Sequence, residues 1–573
     1  MIKLLSFVLL ASGLSAVAQT PGTFVRTGSL TALRWGHTAT LLKDGRVLIA
    51  GGQGGSSFLV TSILATAELY DPSTGTFTST GSMTAARYSQ AATLLADGRV
   101  LITGGEGPGP GPRFSSGLTS AELYDPKTGT FTATGTMSAP HPSATLNLLS
   151  SGKVLVTGGT SAEIYDPKTG FFAPAGPVNE ASGGAVLLKD GRVFIPGYDS
   201  GSVYEITGDS LKLVASVPGT LRSDHTTTLL ANGKVLIAGG QTGEDQPPRE
   251  SEASLYDPRS GTLQGTGFLL TGRSGHTATL LPGGRVLIAG GDNAGAVAFA
   301  EEYDPSTGSF TSLGIQASAR DSGHTATVLP DGRVLLAGAT LSLPAELYTP
   351  PLRAGSAASL TGPLAPESLG SLFGSRLALS TESADPLSPP TSLGGISLRV
   401  RDSSGATRLA PLLYVSPSQI NFEVPAGTAP GPVALEVVNA PTQLAEVAAQ
   451  ISTIAPGLFT YDDNTVIAYG LRLEPNGKQT VLSVRNTIML DDRPVYLVAY
   501  ATGIRNRFSL DNVRCSIGGI DLPVEYAGPE GSGGPGLDQV NVRLTPNLKG
   551  LGVASLALSV DGIPSNTVSV DIR

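Results

Sequence analysis

One short block returns along the first half of this chain and limits what it can fold into. GHTATLLKDGRVLIAGG occupies 36–52, DHTTTLLANGKVLIAGG 224–240, SGHTATLLPGGRVLIAGG 274–291 and GHTATVLPDGRVLLAGA 323–339. Weaker copies bring the turn position to Asp44, Asp97, Ser151, Asp190, Asn232, Gly283 and Asp331, each followed by Gly and then Lys or Arg. An apolar strand precedes each turn, such as Ala39 to Leu42, and RVLIAGG or a relative follows it. The Asp-Gly pair predicts a two-residue hairpin turn that needs positive φ. A unit repeated at this period cannot bury its apolar faces alone, so neighbouring units must stack.

A third strand follows in each copy, with Tyr at a fixed place: Tyr70, Tyr124, Tyr165, Tyr204, Tyr256, Tyr303 and Tyr348. In most copies it runs into a second turn, YDPSTGTF at 70–77 or YDPKTGTF at 124–131, where Pro presets φ and Gly completes the bend. The fourth strand carries Phe77, Phe131, Phe172 or Phe310, with Leu263 in the fifth copy. Four short strands per unit and seven units predict an all-β chain beginning with a seven-bladed propeller. The seventh unit stops at Tyr348-Thr349-Pro350-Pro351 without a fourth strand, whereas GTFVRTGSL at 22–30 matches GTFTSTGSM at 75–83 yet precedes the first unit. Thr23 to Thr27 is therefore expected to close the last blade, protecting both edges.

These residues resemble kelch-repeat propellers, in particular the galactose-oxidase-like branch. The carriers are the double glycines Gly51-Gly52, Gly104-Gly105, Gly158-Gly159, Gly239-Gly240 and Gly290-Gly291 with the tyrosines downstream, and the likeness covers 22–353. Two features depart from it: Phe or Leu stands where the fourth strand usually has Trp, and the fourth unit reads IPGYDSG at 195–201 and ITGDS at 206–210. The branch implies copper held by tyrosines and histidines, with one tyrosine cross-linked to a propeller cysteine. The only cysteine, Cys515, lies well beyond the repeats, so that radical site is not expected. Neither a Ser-His-Asp order nor a Gly-x-Ser-x-Gly elbow is evident.

The short turns belong on one face of such a ring. The opposite face receives the inter-blade links and the variable loops at 52–66, 106–120 and 241–254, where binding usually resides. His37, His225, His276 and His324 begin first strands on that face near the axis, with Gln90, Ala144 and Gly183 in the other copies. Arg34, Arg87, Arg222 and Arg273 stand three residues earlier, Arg320 is displaced by one, and His141 takes the position in the third copy. The histidines admit two readings, a metal-binding arc or a strand cap that bonds the neighbouring blade. Repetition favours the cap, because every unit solves the same packing problem. The arginines suit pairing with Glu68, Glu122 and Glu163 of the third strand. Trp35, the only tryptophan, is either a partly buried strand-start aromatic or a platform for a sugar ring. The ligand-binding candidates are therefore Arg34, Trp35, His37, Arg87, Arg222, His225, Arg273, His276, Arg320 and His324, with no catalytic residue and no cofactor or metal site assigned.

Bulk properties bound the rest. Charged residues are 14% of 573, with Gly 74 and Pro 41, which is poor material for helices. The net charge of -9 disfavours nucleic acid and anionic membrane as partners. Residues 1–18 read as a signal peptide, with Lys3, an apolar run from Leu4 to Leu14 and Ala16-Val17-Ala18, so the mature chain is expected to begin at Gln19 and to be exported. No membrane-spanning segment is expected. A lone Cys515 allows no intramolecular disulfide and reads as a small buried apolar residue.

Beyond Leu352 to Leu360 the repeat stops, and the remainder is β-rich and doubled. SQINFEVP at 418–425 matches DQVNVRLTP at 538–546, and SLGSLFGSRL at 368–377 is similar to YLVAYATGIRN at 496–506. This predicts two Ig-like sandwiches, 354–455 and 456–573, after a propeller over 19–353. VSPSQINFEVP at 415–425, IAPGLF at 454–459 and GPGLDQVNV at 534–542 resemble a C-terminal domain of unknown function found on many exported acidobacterial proteins. That family implies export and no chemistry. Asp462-Asp463 and Asp491-Asp492 lack the alternating spacing of a Ca²⁺ loop and read as solvated turns. The expectation is an exported, monomeric, non-catalytic binding or scaffold protein whose partner is a glycan or another exported protein. The alternative is a carbohydrate-active enzyme of the same propeller type, without the copper radical.

Overall fold

The computed structural model describes residues 22–573 except 58–59, 110–114, 142, 180–183, 198–199, 220–221, 243–249, 340–343, 440–441, 462–463, 484–486 and 533. Residues 1–18, expected to be a signal peptide, Gly183 and Asp462-Asp463 lie outside the described residues.

Among the described residues from Thr23 to Thr349, seven four-stranded antiparallel sheets form a β-propeller, and these sheets are called blades one to seven in chain order. Blade one shows the pattern, with Thr38–Leu41 innermost, then Val47–Ala50, Ala67–Asp71 and Thr76–Ser79 outermost. The second strands read as continuous apolar runs because both faces are buried between blades. Val47 and Ile49 pack with Leu335 and Leu347 of blade seven, while Leu48 and Ala50 pack with Val100 and Ile102 of blade two. Seven such clusters fill the seven seams, so the core of this half lies between the sheets.

The N-terminal strand Thr23–Ser29 is the outer strand of blade seven, with Thr23 opposite Thr349 and Phe24 opposite Tyr348. Phe24 stands 4.8 Å from Tyr348, ring centre to ring centre, as Phe77 stands from Tyr70. The same strand reaches forward to blade one, where Thr27 Oγ1 bonds Tyr70 Oη at 2.9 Å and Gly28 N donates to Gly75 O at 2.9 Å.

The Asp-Gly turn is one residue longer than predicted. Leu42 N donates to Arg46 O at 2.8 Å and Gly45 N to Leu42 O at 3.0 Å, leaving a three-residue loop that ends on a left-handed glycine, φ +88°. This is the three-residue hairpin in which glycine forms the bulge. Asp44 shapes it by accepting from Arg46 N at 3.1 Å.

Blade four lacks the repeated signatures, and its neighbours stitch it in. Its innermost strand is only Val186–Leu187. Asn147 of blade three donates to Ala185 O and accepts from Leu187 N, both at 3.2 Å, and Thr227 of blade five donates to Gly184 O at 2.6 Å.

The C-terminal half forms two two-sheet units. In the first, a five-stranded sheet spanning Arg353 to Glu423 faces a four-stranded sheet, with Leu398, Leu412, Ile420 and Leu435 in the core between them. The second pairs six strands with five around Leu497, Val540, Leu556 and Val570. The doubled motifs occupy equivalent pairs, Leu369–Phe373 beside Gln419–Glu423 and Val495–Thr502 beside Asp538–Leu544. Cys515 sits in the second core, 3% exposed, where burial pushes its thiol up to about 12. Asp491 accepts from Arg493 N and Nε, each at 3.0 Å, which holds its carboxyl below the usual range.

This half rests on the turn face of the propeller, and blade six departs from the repeat where the two meet. Gly283 replaces the turn aspartate, and a Cβ there would lie 3.1 Å from the Phe373 ring. Glu302 replaces the aliphatic residue seen as Leu69, Leu123, Leu255 and Leu347. It accepts from Arg353 at 2.5 Å and from Arg285 at 3.1 Å, while Arg376 pairs with Asp331 of blade seven at 3.4 Å. The loop face on the other side of the ring carries none of these contacts.

Candidate site at the mouth of the propeller axis

Five of the inter-blade links enter the ring through a buried arginine: Arg34, Arg87, Arg222, Arg273 and Arg320. Arg34 donates to Gly51 O at 2.8 Å, Thr66 O at 3.1 Å and Glu68 Oε1 at 2.5 Å, and the second Glu68 oxygen accepts from Thr31 N at 2.8 Å. Arg87 with Glu122, Arg273 with Glu301 and Arg320 with Glu346 repeat this at 3.1, 2.5 and 3.3 Å. These four arginines are at most 1% exposed. Burial pulls each guanidinium below its ordinary value and the facing glutamate opposes it. The one-residue displacement of Arg320 does not change its station. In blade three His141 does the same work, bonding Gly158 O at 2.9 Å and Glu163 Oε1 at 3.1 Å. Blade five has Ser254 in place of the glutamate, and Arg222 turns to Glu252 O at 2.8 Å.

The histidines join blade to blade. His37 Nε2 meets Thr325 Oγ1 at 3.0 Å, His324 meets Thr277 at 3.1 Å and His276 meets Thr226 at 2.9 Å. Nδ1 of His324 donates to Asp321 O at 2.8 Å, which leaves Nε2 to accept from the threonine hydroxyl of a neutral imidazole. Burial, joined in all four by the nearby guanidinium, lowers His37 and His276 to about 3 and His225 and His324 to about 4. In blade four Gly184 holds the repeat position of those threonines, and His225 Nε2 has no hydrogen-bond partner among the described residues. Three glycines at this station, Gly239, Gly290 and Gly338, are sockets for the next blade's ring. A Cβ on Gly290 would lie 2.5 Å from His324 Cε1, one on Gly239 2.8 Å from His276 Cε1, and one on Gly338 would overlap His37. Gln90 fills the socket at Gly51 and donates to Ala50 O at 2.7 Å.

Nine of the ten sequence candidates are thus committed to the ring. Arg34, Arg87, Arg222, Arg273, Arg320, His37, His225, His276 and His324 are between 0% and 6% exposed, so a ligand on the loop face would not reach their polar atoms. Desolvation explains this outcome: a buried guanidinium needs a carboxylate and carbonyls around it, and the repeat supplies them.

Trp35 has a different station. It is half-buried on the loop face and held by reciprocal backbone bonds with Gln53 at 2.8 and 3.0 Å. Beside it stands Tyr88, also half-buried, with ring centres 5.8 Å apart in an edge-to-face arrangement. Tyr88 Oη donates to Glu106 Oε2 at 2.5 Å. The next residues, Gly36 at φ +62° and Ser89 at φ +51°, are left-handed and chained by backbone bonds, Ser89 N to Gly36 O at 2.7 Å and Gly36 N to Gly323 O at 2.8 Å. Left-handed residues recur at Ser143, Asp224, Gly275 and Gly323, forming a collar around the mouth. A non-glycine residue held there costs energy that the surrounding bonds must offset. Two extra hairpins, starting at Gln53 and Glu106, rise from blades one and two beside the aromatic pair.

Tyr88 was not among the sequence candidates, although a signal was present: it follows Arg87 as Trp35 follows Arg34. A cross-linked tyrosine–cysteine copper centre does not fit this chain. Cys515 belongs to the core of the last unit, remote from the mouth, and is held as a thiol.

The kelch motif model matches residues 34–84, which run from Arg34 through blade one. No curated protein sequence matches the chain. Among solved structures, a fungal alcohol oxidase of the AA5 family in complex with copper is similar at 16% identity and TM-score 0.48, covering 76% of this chain and 99% of its own. YjhT is similar at 16% identity and TM-score 0.39, covering 50% of this chain and 98% of its own.

Proposed function

We propose that this chain is an exported, non-catalytic binding protein, a seven-bladed galactose-oxidase-like kelch propeller with two Ig-like sandwiches, that holds a glycan or another exported protein at the mouth of its axis. The observation that carries this reading is the Trp35–Tyr88 pair. These two aromatics are part-exposed on a rigid collar, whereas the arginines and histidines around them are spent in holding the blades. Aromatic faces next to hydrogen-bonding groups suit both sugar rings and protein side chains. Gln53 and Glu106, paired with the two aromatics, supply polar edges. The C-terminal units occupy the turn face and leave the loop face to a partner. The protein acts as a monomer.

The test is a glycan array, together with capture of exported proteins, probed with the mature chain and with Trp35→Ala and Tyr88→Ala. A ligand retained by the parent and lost by both variants supports the reading. Turnover of a sugar by the purified parent would replace it with the carbohydrate-active enzyme.

A further inference from the structure

A second site stands on the opposite face of the ring. Between the turns of blades five and six and the two C-terminal units lies a cleft of about 780 Å³, and an adjoining cavity of about 210 Å³ shares Gly283, Arg285, Leu360 and Thr361 with it. Cavities of this size at domain junctions are where small ligands are commonly held.

The walls select a chemistry. The charged side chains in the large cleft are already neutralised: Lys234 pairs with Asp257 at 3.1 Å, and Arg285 with Asp304 at 2.5 Å and Glu302 at 3.1 Å. An ionic ligand would have to compete with these pairs. Four of the hydroxyls that line the cleft spend their protons inside the protein, Ser565 by donating to Asn566 O at 2.8 Å. Ser359 Oγ donates to Thr361 O at 2.8 Å, Thr361 Oγ1 to Ser359 O at 3.4 Å and Ser306 Oγ to Asp304 Oδ1 at 2.6 Å. Each keeps lone pairs and can only accept. A charge-neutral wall carrying these acceptors suits a ligand rich in O–H donors. Phe459 and Tyr461, half-buried on the second C-terminal unit, supply the flat apolar surface that the C–H face of a sugar ring needs.

The frame is rigid because the departures of blade six build it. Arg353 ties the first C-terminal unit to Glu302, and Phe373 seats on Gly283. Arg259 of blade five bonds Thr465 and Ser569 of the second unit. We propose that this cleft binds a short uncharged oligosaccharide, independently of the mouth of the axis.

The experiment is titration calorimetry of the full mature chain with cellotriose, xylotriose and maltotriose. Phe459→Ala removes the platform, and Ser306→Trp fills the cleft from an exposed turn without touching a core. Melting temperatures show whether each variant is folded. Saturable binding of at least one probe, weakened about tenfold or more by both variants, is the expected result. No saturable binding of any of the three would overturn the proposal. So would binding that both cleft variants leave intact but Trp35→Ala removes, which would place the sugar at the mouth instead.

Discussion

The imidazole of His276 crosses out of its own blade and meets the hydroxyl of Thr226 in the blade before it, at 2.9 Å. With His324–Thr277 and His37–Thr325 it makes an unbroken run of joints from blade five round to blade one. Recurrence of the histidine therefore reflects the same joint made at three successive seams.

The joints give the propeller an acid limit. The four imidazoles have ordinary values of 6.5 when unfolded and about 3 to 4 when folded, so the unfolded state binds protons first. Stability is complete above pH 6.5 and falls as pH drops from there towards 4, by about 1 kcal/mol per pH unit per histidine. Gln90 shows that glutamine fits the socket. Calorimetric melting of His276→Gln/His324→Gln between pH 7 and 4.5 should give about half the parent's slope. An unchanged slope would remove the histidines as its cause.

Gly290 is the cleanest test of the socket. Its φ is +62°, and a Cβ would lie 2.5 Å from His324 Cε1. Gly290→Ala combines backbone strain with overpacking and should cost about 2–4 kcal/mol, seen as an earlier midpoint in urea. Gly261→Ala is the comparison, because its φ is similar, +69°, but its Cβ would meet nothing within 4 Å. Equal losses in both variants would reduce the socket to backbone strain alone.

The N-terminal strand closes the ring from both sides, pairing with Pro344–Thr349 and bonding Tyr70 and Gly75 of blade one. Removing residues 22–28 bares the outer edge of blade seven and breaks the bonds to Tyr70 and Gly75 of blade one. The expected outcome is a lower melting temperature for the whole propeller and aggregation at the exposed edge. Melting identical to the full chain would show that the strand is dispensable.

Blade six explains how the halves are joined. Gly283→Asp restores the repeat's turn residue and drives a side chain into Phe373. The substitution should leave the propeller's own transition in place while limited proteolysis cuts faster near residues 350–363. Proteolysis at the parent's rate would mean that Phe373 does not need that glycine.

Much of this was legible in the sequence because each repeated residue has one job. The paired glycines, the Arg–Glu partners and the tyrosine–phenylalanine pair recur at fixed spacing, and each is a contact repeated in several blades. Position in a repeat reports such contacts well. The turn was misread by one residue because Asp-Gly serves both two- and three-residue loops, and only the Leu42–Arg46 pairing separates them. Glu302 and Gly283 are visible as departures, yet their partners Arg353 and Phe373 lie in another unit where no spacing leads. Tyr88 escaped because it differs in type from Trp35, although it holds the same place one blade on.

The proposed function divides the mouth into part-exposed aromatics that bind and buried histidines that build. Affinity for the ligand found on the array, measured side by side for the parent, Trp35→Ala, Tyr88→Ala and His276→Gln, tests it most directly. The account predicts a loss of about tenfold or more for each aromatic variant and parent-like affinity for His276→Gln. Binding abolished by His276→Gln in a folded protein and untouched by Trp35→Ala would contradict it.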